Sequence, residues 1–300
     1  MILPFDLPPP AGYSISPIWD GSHFVLGNEK FQVLEYSENF SGWSDDLTTL
    51  HEEAAGDSHP IDLASRLDAL NQVKKSIPSK NPVILEIGCS SGYLIRSLVQ
   101  QFPDAIVIGA DVVKDPLYRL AQSLPCVPML RFDLLQNPLP KQCIDVLVML
   151  NVLEHIEDDV AALHNVYSLL KPGGSLIIEV PAGPYLYDLY DSELCHFRRY
   201  SAQELIEKIQ SVGLTVKRQS HLGFLLFPAF ATIKLLNKWK YLNKNNLRSD
   251  NLVVSKLAAK SSRNRLLNLA MKIESTLKLR FNFPFGIRVL ITAEKNKGNG

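Results

Sequence analysis

From Pro82 onward the chain repeats one pattern: a short apolar run rich in β-branched residues, a turn, then a stretch with helical spacing. The runs cover 83–87, 105–109, 128–132, 144–150 and 175–180, and the helical stretches 92–101, 115–123 and 157–170. Such runs are too apolar to leave one face in water. Strands that alternate with helices point to a parallel sheet with helices on both faces. A helix over 202–212 follows, with Ser201 as its N-cap and Gly213 beyond its end. Residues 214–220 read as a sixth strand and 286–293 as a seventh.

This pattern divides the chain into an N-terminal extension with a cap helix (1–80, the helix at 61–76), an α/β core (81–222), an insertion (223–283), and a last strand with its tail (284–300). An apolar content of 46% against 21% charged residues gives the core enough material and excludes wholesale disorder. Cys89, Cys126, Cys143 and Cys195 form no C-x-x-C pair, which speaks against a zinc site or a disulfide framework and for a reducing, cytoplasmic setting. Prolines break the apolar N-terminus, so no signal peptide is expected there. No apolar run reaches the roughly 18 residues of a membrane-spanning helix.

The first strand runs into Glu86-Ile-Gly88-Cys-Ser-Ser-Gly92 and then a helix. Two glycines let the backbone approach a ligand at a helix N-terminus. A dinucleotide site wants G-x-G-x-x-G, whereas this loop is G-x-x-x-G. The carboxylate of Glu86 would repel a pyrophosphate but suits the ammonium of an amino-acid ligand, which favours S-adenosylmethionine (SAM) over NAD. Asp111 ends the second strand, where an acid accepts ribose hydroxyls. Asp133 follows the third strand, placed for an adenine amino group, with the Leu134 amide beside it.

Residues 86–92, Asp111, Asp133, Asn151-Val-Leu-Glu-His155 and Leu170-Lys-Pro-Gly-Gly174, in this order and spacing, resemble the class I SAM-dependent methyltransferases. The branch that includes the quinone-biosynthesis O-methyltransferases looks most similar, and the resemblance covers roughly 80–222 and 284–295. It implies an α/β, doubly wound, seven-stranded mostly parallel sheet, the Rossmann-like methyltransferase fold, with an antiparallel last strand. It also implies SAM as the cofactor. Carried over by residue, Gly88, Cys89 and Gly92 line the methionine part, Asp111 binds the ribose, and Asp133 and Leu134 the adenine, with Glu86, Ser90 and Val112 also in the cofactor site. Asn151, Val152 and Leu153 then lie beside the sulfonium. A second fragment, 195–205, is similar to a segment of bacterial methyltransferases linked to glycan or lipid pathways.

Methyl transfer is an in-line displacement that needs alignment and, at oxygen, a general base. His155, after the fourth strand, is the first candidate and His196 the second. Arg198, Arg199 and Tyr200 suit a phosphate or carboxylate on the acceptor; the competing reading is a network with Asp188, Asp191 and Glu193 that pins the loop. Quinone O-methyltransferases can pair acids and a histidine around a divalent metal. Glu154 and His155 match, but Asn151 stands where a further acid would be, so no metal is expected. Tyr36, Phe40 and Trp43 form either a lid or helix packing, and His59 and Arg66 read as capping and surface charge. Two rival functions stay open: a Rossmann-type NAD(P)-dependent oxidoreductase, and a SAM-binding scaffold without chemistry.

The chain is neutral overall, yet residues 234–280 hold twelve basic residues against Asp250 and Glu274, a net of +10. An apolar stretch, 222–233, precedes them, and Leu266, Leu269, Ala270, Ile273 and Leu277 share one helical face. Apolar faces beside basic residues describe an element at a membrane surface, where each basic residue adds on the order of 1 kcal/mol. Helix packing or a dimer interface would use the same pattern. Nucleic acid is disfavoured, because the fourth-strand motif lacks the Pro-Pro-aromatic of base-amine methylation. The expectation is a small-molecule or lipid-linked acceptor, with the chain peripheral on a membrane.

Overall fold

A computed structural model describes residues 2–37, 45, 48, 57, 59–77, 80–89, 91–242, 265–278 and 280–297. The extension supplies β1 (Ile18–Trp19), β2 (Phe24–Leu26), β3 (Glu29–Phe31) and β4 (Val33–Glu35), then α1 (Pro60–Ser76). The core alternates β5 (Val83–Ile87), α2 (Tyr93–Gln101), β6 (Ile106–Asp111), α3 (Asp115–Ser123), β7 (Met129–Arg131) and β8 (Ile144–Leu150). It continues through α4 (Asp159–Leu169), β9 (Leu170–Pro181), the short α5 (Leu189–Glu193), α6 (Ala202–Ser211) and β10 (Leu214–Leu222). The insertion contributes α7 (Phe227–Leu242) and α8 (Arg265–Lys278), and β11 (Arg288–Lys295) closes the fold.

The main sheet runs β10-β11-β9-β8-β5-β6-β7-β4, with β11 antiparallel to both neighbours. The doubly wound expectation holds, and the seven expected strands are joined by an eighth, β4, which pairs parallel with the edge of β7. Alternation along the buried strands sorts the two helical layers. Val83, Leu85 and Ile87 face the cluster holding Leu163 and Leu205, whereas Ile84 faces Leu70, Val73, Leu98 and Leu117. β1–β3 form a small antiparallel sheet whose Trp19 and Phe24, 4.7 Å apart, join the first of these layers. Glu35 ties β4 down by accepting from Arg131 and from the Tyr118 hydroxyl, both at 2.7 Å.

Ile61, Ala64, Leu67, Leu70 and Val73 recur at helical spacing, which predicts one buried face for α1. Ala64, Leu70 and Val73 are buried, but Leu67 is exposed, and Ser65, Asp68 and Gln72 take the inner positions. The cause lies across the interface. Arg218 of β10 meets Asp68 through two bonds of 3.0 Å, and Glu179 of β9 accepts from Ser65 at 2.7 Å. A half-polar sheet surface selects a half-polar helix face.

Candidate functional site

The glycine loop leaves β5 at the carboxyl end of the sheet, where open α/β sheets bind ligands. Gly88 and Gly92 have φ of +83° and +74°, in the left-handed region. A Cβ on Gly88 would lie 2.5 Å from Val152 Cγ2, and one on Gly92 would lie 2.6 Å from Leu120 Cδ1. Gly88 and Cys89 both donate to the Ala110 carbonyl, at 2.9 and 3.3 Å, which ties the loop to the end of β6. Cys89 turns its side chain into the core beside Gly109, so only its backbone can meet a ligand. Burial, with Asp111 and Glu86 nearby, raises its thiol well above the usual range. Ser90 lies outside the described residues.

Glu86 is buried, and its Oε2 has no hydrogen-bond partner among the described residues. Burial, and then the neighbouring charge of Asp111, push its carboxyl well above the normal carboxylate range, with Arg66 opposing them. The two neighbouring acids favour an ammonium beside them. Asp111 Oδ1 accepts from the amides of Val112 and Val113, at 2.7 and 3.3 Å, fixing the turn after β6. Asp45 of the extension accepts from the Lys114 and Asp115 amides, at 2.9 and 3.1 Å, at the head of the next helix. Asp133 caps a 3-10 turn through the Leu135 amide, and the buried Leu134 gives its carbonyl to Asn165. Asn151 is left-handed at φ +53° and donates its side-chain amide to Glu179 at 3.2 Å. Val152 and Leu153 follow it toward Gly88.

The base candidates meet. The Phe197 amide donates to the Glu154 carbonyl at 2.8 Å, which lays the loop after β9 over the turn after β8. The rings of His155 and His196 then stand edge to face, 4.7 Å between centroids. Asp191, fully buried, binds His196 Nδ1 at 3.0 Å, which orients the ring and leaves Nε2 to accept a proton. Burial alone would raise Asp191, but bonds from His196 and Arg199, with Lys234 beside them, hold it well below the usual carboxylate range. His196 thus has a buried carboxylate to orient it, and His155 packs against its ring.

Glu154 is fully buried, and neither carboxylate oxygen has a hydrogen-bond partner among the described residues. Burial pushes its carboxyl up to about 8. One ligand atom each from Glu154, His155 and His196 lie within 4.8 Å of one another, a set able to hold a metal ion. The expectation of no metal rested on the local motif alone, and His196 enters from a loop that the motif does not contain.

The expected acceptor residues are placed otherwise. Arg199 is buried on Asp191 and the Ala182 carbonyl, and the buried Tyr200 donates to Asp159 at 2.8 Å. Arg198 reaches Asp159 at 2.8 Å and the Glu157 carbonyl at 2.6 Å. All three pin the loop, through Asp159 and Asp191 rather than through Glu193, and Arg199 and Tyr200 are buried on those partners. Sequence reasoning missed Lys234, which enters from the insertion to reach Asp188 at 2.6 Å and Asp191 at 2.9 Å. Tyr36 donates to the Pro8 carbonyl at 2.9 Å, whereas Phe40 and Trp43 lie outside the described residues. His59 pairs with Asp62 at 3.1 Å, and Arg66 lies over the Tyr93 ring.

Residues 85–176 match the family described as Methyltransferase domain. A probable S-adenosylmethionine-dependent methyltransferase of Mycolicibacterium smegmatis is 29% identical over 139 residues, covering 45% of this chain and 52% of that protein. A malonyl-[acyl-carrier protein] O-methyltransferase of Halalkalibacterium halodurans is 27% identical, covering 43% of this chain and 51% of that protein. The matched stretch thus spans about half the length of these curated relatives. Among solved structures, Haemonchus contortus phosphoethanolamine N-methyltransferase 2, with phosphomonomethylethanolamine and S-adenosylhomocysteine, superposes with a TM-score of 0.52. It is 15% identical, over 83% of this chain and 57% of that one, a likeness of fold.

Proposed function

We propose, from the premise that this chain belongs to the class I SAM-dependent methyltransferase superfamily, that it methylates an oxygen of a small-molecule or lipid-linked acceptor. The observation that carries the cofactor reading is Glu86, a buried carboxylate with an unpartnered oxygen beside a loop that only glycines can form. Glu86 would take the ammonium, the loop backbone at Gly88, Cys89 and Gly92 would line the methionine part, Asp111 would take the ribose, and Asp133 with Leu134 the adenine. When bound, the cofactor supplies an electrophilic methyl group on a sulfonium.

The chain's own residues then align the acceptor and move one proton. His196, oriented by Asp191, would take the acceptor hydroxyl proton on Nε2. His155, packed against it, bounds the acceptor side. Peripheral membrane contact through 223–283 would present a lipid-linked acceptor to this site. Calorimetric titration with S-adenosylhomocysteine tests the cofactor reading. Wild type is expected to bind and Asp111→Ala to lose binding; no binding by folded wild type would overturn the reading.

A second reading is favoured by the unpartnered Glu154: a divalent cation held by Glu154, His155 and His196, with Asp191 orienting the last of them. Mn²⁺ or Zn²⁺ should raise the melting temperature of wild type and leave that of His196→Ala unchanged. An equal response from both proteins would remove this reading.

A further inference from the structure

The two helices of the insertion are turned against their own chemistry. On α7, Lys234 points inward to Asp188 and Asp191, whereas Ile233, Leu236 and Trp239 are 59%, 50% and 63% exposed. On α8, Glu274 and Lys278 are buried, whereas Leu266, Leu269 and Ile273 are 76%, 55% and 46% exposed. Glu274 accepts from the Gly223 and Leu225 amides, at 2.6 and 3.1 Å, and Lys278 reaches Asp68 at 3.4 Å. Lys234, Glu274 and Lys278 dock the helices to the body, and the leucine stripe faces out. Water alone gives no reason for that choice.

The position of this face is fixed by register. Leu222 pairs with Arg288, which pairs with Pro181, so the insertion leaves and rejoins the sheet at the carboxyl end of β9. That is the edge carrying the candidate site. Phe224 stacks on Phe283 at 4.8 Å and packs on Phe285 at 4.6 Å, so both helices are rooted at one aromatic cluster on that rim.

We propose that the outward faces of α7 and α8 dock the rim of the site onto an anionic lipid bilayer. Charge selects the occupant. Lys238, Lys272 and Arg280 are exposed, and of the two acids between 234 and 280, Glu274 is buried and bonded while Asp250 lies outside the described residues. A second copy would bring the same positive charge to the same face, and nucleic acid would leave the leucine stripe in water. Apolar residues that enter the acyl boundary, with basic residues at headgroup level, satisfy both features. No helix among the described residues is long and apolar enough to cross a membrane, so the contact is peripheral. The docking stands independently of methyl transfer; that it serves a lipid-linked acceptor rests on the proposed function.

The test is co-sedimentation of the full chain with vesicles of phosphatidylcholine alone, or of equal parts phosphatidylcholine and phosphatidylglycerol. Binding to the anionic vesicles is expected to be roughly tenfold tighter, and to weaken with added salt. Leu266→Ser/Leu269→Ser/Ile273→Ser should lower it by roughly tenfold or more, and Lys272→Glu/Arg280→Glu should remove the anionic preference. All replaced side chains are exposed, and unchanged S-adenosylhomocysteine binding by the variants shows that the core is intact. Absence of vesicle binding, or binding indifferent to the leucine changes, would overturn the proposal. So would a solution dimer that those changes dissociate, or RNA binding that only the charge changes abolish. Loss of S-adenosylhomocysteine binding by wild type would count against the methyltransferase reading, not against docking.

Discussion

Glu154 sits where burial holds a proton on a carboxyl that would shed it in water. Its value of about 8, against 4.5 in an exposed chain, means that the folded state keeps a proton the unfolded state gives up above 4.5. Its contribution to stability is therefore full below that pH and falls as pH rises toward 8. Glu154→Gln should flatten this decline and raise the urea midpoint near pH 8, as equilibrium unfolding across pH would show. Bound divalent ion would abolish the decline in wild type by stabilising the carboxylate. Gly88→Ala probes the other side of the site. The clash with Val152 and the left-handed φ should weaken S-adenosylhomocysteine at least tenfold, for about 1–2 kcal/mol of lost stability, measured by titration and chemical melts.

Elements differ in how openly the sequence announces them. The glycine loop and the acids at the ends of β6 and β7 were legible, because each is dictated by a strand and the turn that follows it. The meeting of Glu154 with His196 was not, because it depends on the amide of Phe197 reaching a carbonyl on a different crossover. The same holds for Arg199 and Tyr200, whose partners Asp191 and Asp159 turn exposed-looking residues into buried struts. Helical periodicity in α8 revealed a leucine face but not its direction. The direction is set by Asp68 and by the amides of Gly223 and Leu225. Asp191 is the test of the strut: two cations, Arg199 and Lys234, and the His196 ring converge on it without solvent, so Asp191→Ala should cost about 3–5 kcal/mol, seen as a large drop in thermal midpoint. Lys234→Met removes one cation and leaves Arg199 to compensate, so its expected loss is smaller.

At the scale of the molecule, the α/β core follows directly from its alternating pattern, and the two peripheral additions do not. Residues before β5 add a strand at the β7 edge and a separate small sheet, held by Glu35, Trp19 and Phe24 rather than by any periodic signal. The basic segment was visible as charge, while its attachment to the site rim became apparent only through strand register.

That register has a consequence for how such a chain can change. Because Leu222 and Arg288 face each other on neighbouring antiparallel strands, everything between them forms a detour that begins and ends at one place. A tight turn could replace it and leave every strand of the sheet in its place. The detour is an appendage in topology but not in packing: a chain without it would keep its strand order and lose Lys234 from Asp191 and Met271 from Ala64 and Leu290.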